Sequence, residues 1–346
     1  MSTVAHKSEV NQASGEAATS VKDCRLSVLV PVYNSEKTIG RLVDTVVSTL
    51  SESMTLHEII LVNDGSADRS HEVVLEAIKR HPGAIKYIRL FRNFGEHNAV
   101  MCGLNYVTGD AVVIIDDDFQ NPPSEITHLV EKLHEGYDVV YSYYEKKQHN
   151  WFRNLGSKVN DMAASVLLSK PRDLYLSSFK VIATPLVKII VQYKGPYPYI
   201  DGLIMRSTTR IGTQLVRHGV REEGKSGYTL RKLIRLWLNM FTGFSILPLR
   251  VATYLGFLLS ILAVLLALFF TYVRIGGPLF LRDAIPPGWA STIVIITFFA
   301  GIQFSMLGIL GEYLGRLFLT INGAPQFLVR DTYGIAETED ADTDAR

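Results

Sequence analysis

The 346-residue chain carries 35 Lys and Arg against 34 Asp and Glu, a formal charge of +1, which gives no basic surface for nucleic acid. Its two cysteines, Cys24 and Cys102, stand far apart with no CxxC or Cys/His cluster, so neither a zinc site nor a disulfide framework is expected. The length suits one or two domains, and the hydrophobic fraction of 47% is ordinary but unevenly spread.

Residues 1–24 are polar, lack the apolar core of a signal peptide and read as a disordered tail. An alternation follows. Residues 26–32 predict a strand, 36–50 a helix, and 58–62 a strand ending in "NDGS". The pattern continues with a helix over 69–80, a strand over 84–90, a helix over 96–106 and a strand over 111–115. A helix near 124–135 leads to a strand over 138–142. This is an α/β, Rossmann-like domain with a mostly parallel sheet. No GxGxxG or P-loop motif follows its first strand.

In such sheets ligands bind beyond the carboxyl ends of the strands. Three polar clusters fall there: "PVYNSE", "NDGSAD" and "DDDFQ". Each alone fits turn chemistry, and Ser124 fits a helix cap. Together they point to a ligand site. Asp64 is placed to hydrogen-bond a nucleobase or ribose, and Tyr33 to offer an apolar face. Asp116, Asp117 and Asp118 repel one another unless a cation shares them, and a hard divalent ion on a diphosphate fits their oxygen ligands. His97, in "GEHNAV", opens a helix and reads as structural or capping.

Residues 251–273 and 289–311 are each 23 residues long and free of charge, enough to cross a bilayer as helices. The loop between them holds Arg274 and Arg282. Arg231, Lys232, Arg235 and Arg250 precede the first span, and Arg316 and Arg330 follow the second. The charge bias places both termini in the cytoplasm. Residues 228–244 have the pattern of an interfacial amphipathic helix, with 151–168 as a possible second. Residues 335–346 are acidic and expected to be disordered.

The stretches "LSVLVPVYN", "EIILVNDGSADRS", "RLFRNFGEHNAVMCGLNYVTGD", "VVIIDDDFQNPP" and "EGYDVVYS" follow one another in the order and spacing of family-two glycosyltransferases of the GT-A fold. With the late hairpin ending in "LGEYLGR", residues 25–330 resemble the polyprenyl-phosphate glycosyltransferases of that family. The resemblance implies a GT-A domain over 25–225, an amphipathic juxtamembrane helix over 226–248, a transmembrane hairpin over 249–320 and a cytoplasmic tail over 321–346. It implies inverting transfer of a sugar from a nucleotide-sugar, UDP-linked or GDP-linked, to undecaprenyl or another polyprenyl phosphate. The product would be a lipid-linked monosaccharide for cell-envelope glycan modification, made at the cytoplasmic face of a bacterial inner membrane. The enzyme would be a homo-oligomer, with a tetramer among the options.

By that resemblance Pro31, Tyr33, Asp64, Asp116 and Asp117 would bind the nucleotide. Asp118 and Gln120 would hold Mg²⁺ or Mn²⁺. Arg221 and Ser226, in "REEGKSGYTLRKL", would meet the acceptor phosphate, with Lys225 and Lys180 as further cations; Asp118, Arg221 and Lys225 would be catalytic. The chain departs from the family pattern at Ser35, where Glu is common, and at Gly227, where Lys is common. It departs also at Tyr144, where relatives carry Arg, and in "SSFK", residues 177–180. These changes bear on which sugar is used. A processive family-two polysaccharide synthase would carry more membrane helices and a Gln-x-x-Arg-Trp motif, both missing from this sequence. A non-catalytic nucleotide-sugar binder would not need the intact Asp116–Asp117–Asp118–x–Gln120 set.

Overall fold

The computed structural model describes residues 23–144, 174–217, 219 and 288–335, with eight helical positions between 254 and 272. The chain divides into two compact units. One comprises residues 1–162, 170–226 and 325–346; the other comprises 163–169 and 227–324.

The first unit is built on strands β1 (Arg25–Val32), β2 (Thr55–Asn63), β3 (Ile85–Leu90), β4 (Ala111–Ile114), β5 (Val139–Tyr143), β6 (Lys180–Ala183), β7 (Ile211–Leu215) and β8 (Val329–Tyr333). Its helices are α1 (Ile39–Ser53), α2 (Ser70–Arg80), α3 (Glu96–Leu104), α4 (Ile126–Leu133), α5 (Thr184–Ile190) and α6 (Ile200–Ser207). The strands form one eight-stranded sheet in the order β7-β5-β6-β4-β1-β2-β3-β8.

The first half follows the predicted alternation, with boundaries shifted by a few residues. The helix expected from 36 begins at Ile39, because Ser35 to Lys37 form the loop before it. The expectation of a mostly parallel sheet needs correction, since four pairings are parallel and three antiparallel. The sheet is mixed because β6 enters between β4 and β5 in the opposite sense and β8 returns along the β3 edge.

Apolar runs form the central strands because both faces are covered. Leu26, Val28, Val30 and Val32 alternate onto one face, where they join Leu42, Val43 and Val46 of α1 and Ile126, Leu129 and Val130 of α4. Leu29, Ile60, Val62, Val112 and Ile114 are also buried and alternate to the opposite face.

At the amino edge of the sheet a buried carboxylate ties three strands and a loop together. Glu58 accepts from Ser27 Oγ at 2.7 Å, Thr108 N at 2.7 Å, Thr108 Oγ1 at 2.9 Å and Lys86 Nζ at 2.5 Å. Burial pushes its pKa up, but the hydrogen bonds from Lys86, Ser27 and Thr108 outweigh it and hold the carboxyl below its usual value.

The segment after residue 324 closes the other side of the sheet. Gln326 Nε2 donates to the carbonyls of Tyr193 at 2.7 Å and Gly195 at 2.8 Å, and Phe91 N donates to Leu328 O at 3.0 Å. Tyr333 stacks on the buried Tyr87 at 5.6 Å between ring centres, and His71 lies against both rings, 5.7 Å from Tyr87 and 6.0 Å from Tyr333. Gly334 has φ +69°, and a Cβ there would overlap the Ile85 carbonyl, so only glycine lets β8 end against β3.

The second unit contains α7 (Trp289–Ile321), a 33-residue helix about 50 Å long. Its Gly301–Ile321 part is long and apolar enough to cross a membrane. Ile296, Phe298, Phe304, Phe318 and Ile321 are all exposed along α7. Gly256, in the preceding apolar segment, lies against α7: a Cβ there would sit 3.5 Å from Met306 Cε. The amphipathic segment 228–244, the segment 151–168, most of the first span, the loop 274–287 and the two tails lie outside the described residues.

Candidate active site

The carboxyl ends of β1, β2 and β4 carry the three clusters picked out in the sequence. The first two are stitched together by short polar contacts. Asn34, at φ +54°, receives a hydrogen bond from Ala67 N at 2.9 Å on its Oδ1, and its own amide donates to Ser66 Oγ at 3.0 Å. Ser35 N donates to Ser70 Oγ at 2.8 Å, and Arg69 N donates to Glu36 Oε2 at 3.0 Å. Glu36 therefore serves the start of α2, and Ser35 faces the aspartates. This is how the chain uses Ser35, where it departs from the family pattern, and the Glu that follows it.

Asp64 is buried, and its two oxygens accept from Phe94 N at 2.7 Å and Gly95 N at 2.9 Å. It fixes the turn between β3 and α3. Burial pushes its pKa up, with those two backbone bonds opposing. Tyr33 is exposed at the end of β1, and Pro31 lies within β1 opposite Val62. His97 packs edge-on against Tyr199 at 5.1 Å, and burial lowers its pKa. Gly95, not His97, occupies the cap position of α3, so the histidine packs rather than caps.

The aspartate turn follows β4. Asp117 accepts from Ser35 Oγ and, at 3.4 Å, from Tyr33 N, which locks this turn to the end of β1. Burial pushes the Asp117 carboxyl up to about 6; the bonds from Ser35 and Tyr33 oppose this, and the negative charge of Asp116 and Asp118 adds to it. Asp116 accepts from Ser178 Oγ at 2.5 Å. Asp118 accepts from Gln120 N at 3.0 Å. Between them Phe119 adopts φ +59°, a conformation costly for an aromatic residue and a mark of a locally constrained turn. The Arg41 guanidinium lies 4.5 Å from the Phe119 ring centre and covers that turn.

Two flanking elements complete the site. Tyr144 donates to Asn121 Oδ1 at 2.6 Å, tying the end of β5 to the residue after Gln120. Gly219 N donates to Gln120 O at 2.8 Å, and a Cβ on Gly219 would lie 2.8 Å from Phe119 O, a close approach open only to glycine. Lys180, expected at the acceptor phosphate, is buried in β6, where it pairs with Asp201 and lies 4.9 Å from the Tyr141 ring centre. Tyr141 also donates to Asp201 at 2.9 Å. Ser35, Ser178 and Asp201 were not singled out for this cluster in the sequence, because each joins it through a partner remote in the chain. Arg221, Lys225 and Ser226 lie outside the described residues.

Among the described residues no three His, Cys, Asp or Glu side chains converge as a closed metal cage. Asp118 and Gln120 nevertheless supply hard oxygen donors on one turn. Burial is the largest cause of the upward push on Asp117, and the charge of Asp116 and Asp118, which a divalent cation would offset, adds to it.

Residues 27–184 match the family described as Glycosyl transferase family 2. The chain is similar to the undecaprenyl-phosphate 4-deoxy-4-formamido-L-arabinose transferase of Edwardsiella ictaluri, with 31% identity over 311 residues, covering 88% of this chain and 93% of that relative. The protein of the same description from Yersinia pestis is 32% identical over 325 residues, covering 91% of this chain and 95% of the relative. Among solved structures, a glucosyl-3-phosphoglycerate synthase from Mycobacterium tuberculosis, crystallised with Mn²⁺, UDP-glucose and phosphoglyceric acid, shares the fold. The TM-score is 0.50 at 18% identity, covering 65% of this chain and 80% of that one. The sheet thus has a GT-A-like fold, and identity at this level along nearly the whole chain makes it a member of glycosyl transferase family 2, a glycosyltransferase.

Proposed function

We propose that this glycosyltransferase moves a sugar from a UDP-linked donor to undecaprenyl phosphate at the cytoplasmic face of a bacterial inner membrane, inverting the anomeric centre. The observation that carries this reading is the contact of Gly219 with Gln120. Arg221 follows two residues later, at most about 7 Å of extended chain. This connectivity supports assigning the loop 221–226 to the acceptor phosphate. The named relatives, which act on undecaprenyl phosphate, support the acceptor class.

Tyr33 offers its exposed face to the base, while Pro31 and Asp64 shape the nucleotide site between β1 and β2. Asp116 and Asp117 line the ribose and diphosphate. The donor set fits Mg²⁺ or Mn²⁺ held by Asp118 and Gln120; such an ion supplies Lewis-acid stabilisation of the departing diphosphate. The lipid phosphate is already anionic at neutral pH, so attack on the anomeric carbon needs no strong general base. The chain must instead bring two anions together. Arg221, with Ser226 and Lys225, orients the acceptor phosphate through charge-assisted hydrogen bonds. Lys180 is neutralised by Asp201 and belongs to the wall of the site rather than to the acceptor phosphate.

The same reading makes α7 and the segment before it a transmembrane hairpin with both termini cytoplasmic. Support comes from the apolar exposed surface of α7, the packing of Gly256 on Met306 and the charge bias of the flanks. A homo-oligomer, such as a tetramer, belongs to this reading too. The test is purified full-length protein with undecaprenyl phosphate and a panel of UDP- and GDP-sugars, read by mass of the lipid product. A metal-dependent glycosyl-phospholipid is expected. Consumption of sugar nucleotide without a lipid product, or turnover untouched by EDTA, overturns the reading.

A further inference from the structure

Most acidic groups at the carboxyl edge are answered by the protein. Ser178 donates to Asp116, Ser35 and Tyr33 N to Asp117, Gln120 N to Asp118, and Asp201 pairs with Lys180. Glu96, the first residue of α3, differs. Among the described residues it has neither a hydrogen bond nor an ion pair, and its side chain is exposed. Yet burial pushes its pKa up to about 7; the negative charge of Asp116, Asp201 and Asp117 adds to this, and Lys180 opposes it. The two facts agree if the carboxyl lies against a wall of protein with one side open to solvent.

Gly95, the residue before Glu96, donates to Asp64 at the end of β2. His97, the residue after it, packs on Tyr199, two residues from Asp201, the partner of Lys180 in β6. Glu96 thus stands between the Asp64 end of the site and its β6 side. A nucleotide lying over β1 and β2, with its diphosphate at β4, projects its sugar towards that side. A carboxylate there repels phosphate oxygens, so its fitting partner is a neutral hydrogen-bond donor. Resting on the nucleotide-sugar reading above, we propose that Glu96 is a specificity-determining residue of the donor site. It accepts a hydrogen bond from a hydroxyl or N–H of the transferred sugar and turns away sugars that carry a carboxylate.

The test is binding of UDP, UDP-glucose, UDP-4-deoxy-4-formamido-L-arabinose and UDP-glucuronate to the full chain in detergent with Mn²⁺ at pH 8. Wild type should bind one of the two neutral sugar nucleotides more tightly than UDP-glucuronate. Glu96→Ala should weaken that complex by about tenfold and free UDP by less than about twofold. Glu96→Gln keeps an acceptor oxygen without charge. It should hold the neutral sugar to within roughly threefold and narrow the discrimination against UDP-glucuronate by about tenfold. If Glu96→Ala does not fold, Glu96→Gln alone decides. Equal losses for UDP and its sugar, no loss for either, unchanged discrimination in Glu96→Gln or a wild-type preference for UDP-glucuronate overturns the proposal. Wild type that binds neither UDP nor any sugar nucleotide overturns the donor reading itself.

Discussion

Two carboxyl groups, one buried and one half-buried, sit at opposite ends of the same sheet and are treated in opposite ways. At the amino edge, Glu58 is given Lys86, Ser27 and Thr108, and its carboxyl is held below the usual range. At the carboxyl edge, Asp117 is pushed up to about 6, by burial first and then by the charge of Asp116 and Asp118, against the bonds from Ser35 and Tyr33. The protein satisfies the first by itself. The second it leaves in a negative field, as expected where a ligand completes the electrostatics. A polar group that looks unusual in sequence is thus structural or functional according to whether its partners come from the chain.

The sharpest way to break this contrast is at the ligand end. Asp118→Asn should leave the melting temperature within a few degrees of wild type and lower kcat by about a thousandfold, roughly 4 kcal/mol of transition-state stabilisation. Lipid-product formation by a variant that still melts cooperatively measures it, and near-normal turnover would remove Asp118 from the metal site.

Glu58→Ala is the counterpart at the structural end. It leaves Lys86 without its carboxylate and should cost about 3 kcal/mol in denaturant unfolding, with turnover per folded molecule unchanged. Its pH dependence has a definite sign. Because folding lowers the Glu58 pKa, its contribution is complete above the unfolded value of about 4.3 and fades as pH falls through the folded one. The wild-type minus Glu58→Gln difference should therefore shrink in acid.

Asp117→Asn should behave in the opposite way. A carboxyl raised to about 6 opposes folding when ionised, so the penalty is present above pH 6 and is relieved as protonation completes below about 4. The metal-free variant should be more stable than wild type at pH 7.5 by about 1 to 2 kcal/mol, while losing activity. Parallel pH–stability curves for the two variants would erase the distinction between the edges.

The smallest effect is expected at Ser178→Ala, which removes one bond to Asp116. A fall in kcat/KM of about fivefold, near 1 kcal/mol, is expected, with stability nearly unchanged. Rescue by Thr would identify the hydroxyl as what orients Asp116.

Strands β1 to β5 were legible because each is an apolar run bounded by turn residues, and burial on both faces gives that run its meaning. Strands β6, β7 and β8 escaped notice. Each is short, and "KVIA", "IGTQL" and "VRDTY" owe their extended state to neighbours already in the sheet. The aspartate turn was legible from composition, since adjacent carboxylates after a buried strand require compensation. Lys180 was not. As a cation near "SSFK" it suggested a phosphate contact, and nothing local announces Asp201, 21 residues on, as its partner. Likewise the substitution of Ser35 for the family's usual Glu could be seen in sequence, but its bond to Asp117, 82 residues away, could not.

The strand β8 has a consequence for the order of synthesis. Residues 329–333 emerge from the ribosome only after the 33 residues of α7. Until then β3 presents a bare edge, the Tyr87 ring lacks one of its stacked neighbours, and the loop at Tyr193 lacks its Gln326 ties. A nascent chain therefore commits its apolar helix before its catalytic sheet is finished. A chain interrupted between the two would carry an open strand edge, the kind of surface that quality-control proteases and aggregation both seek out.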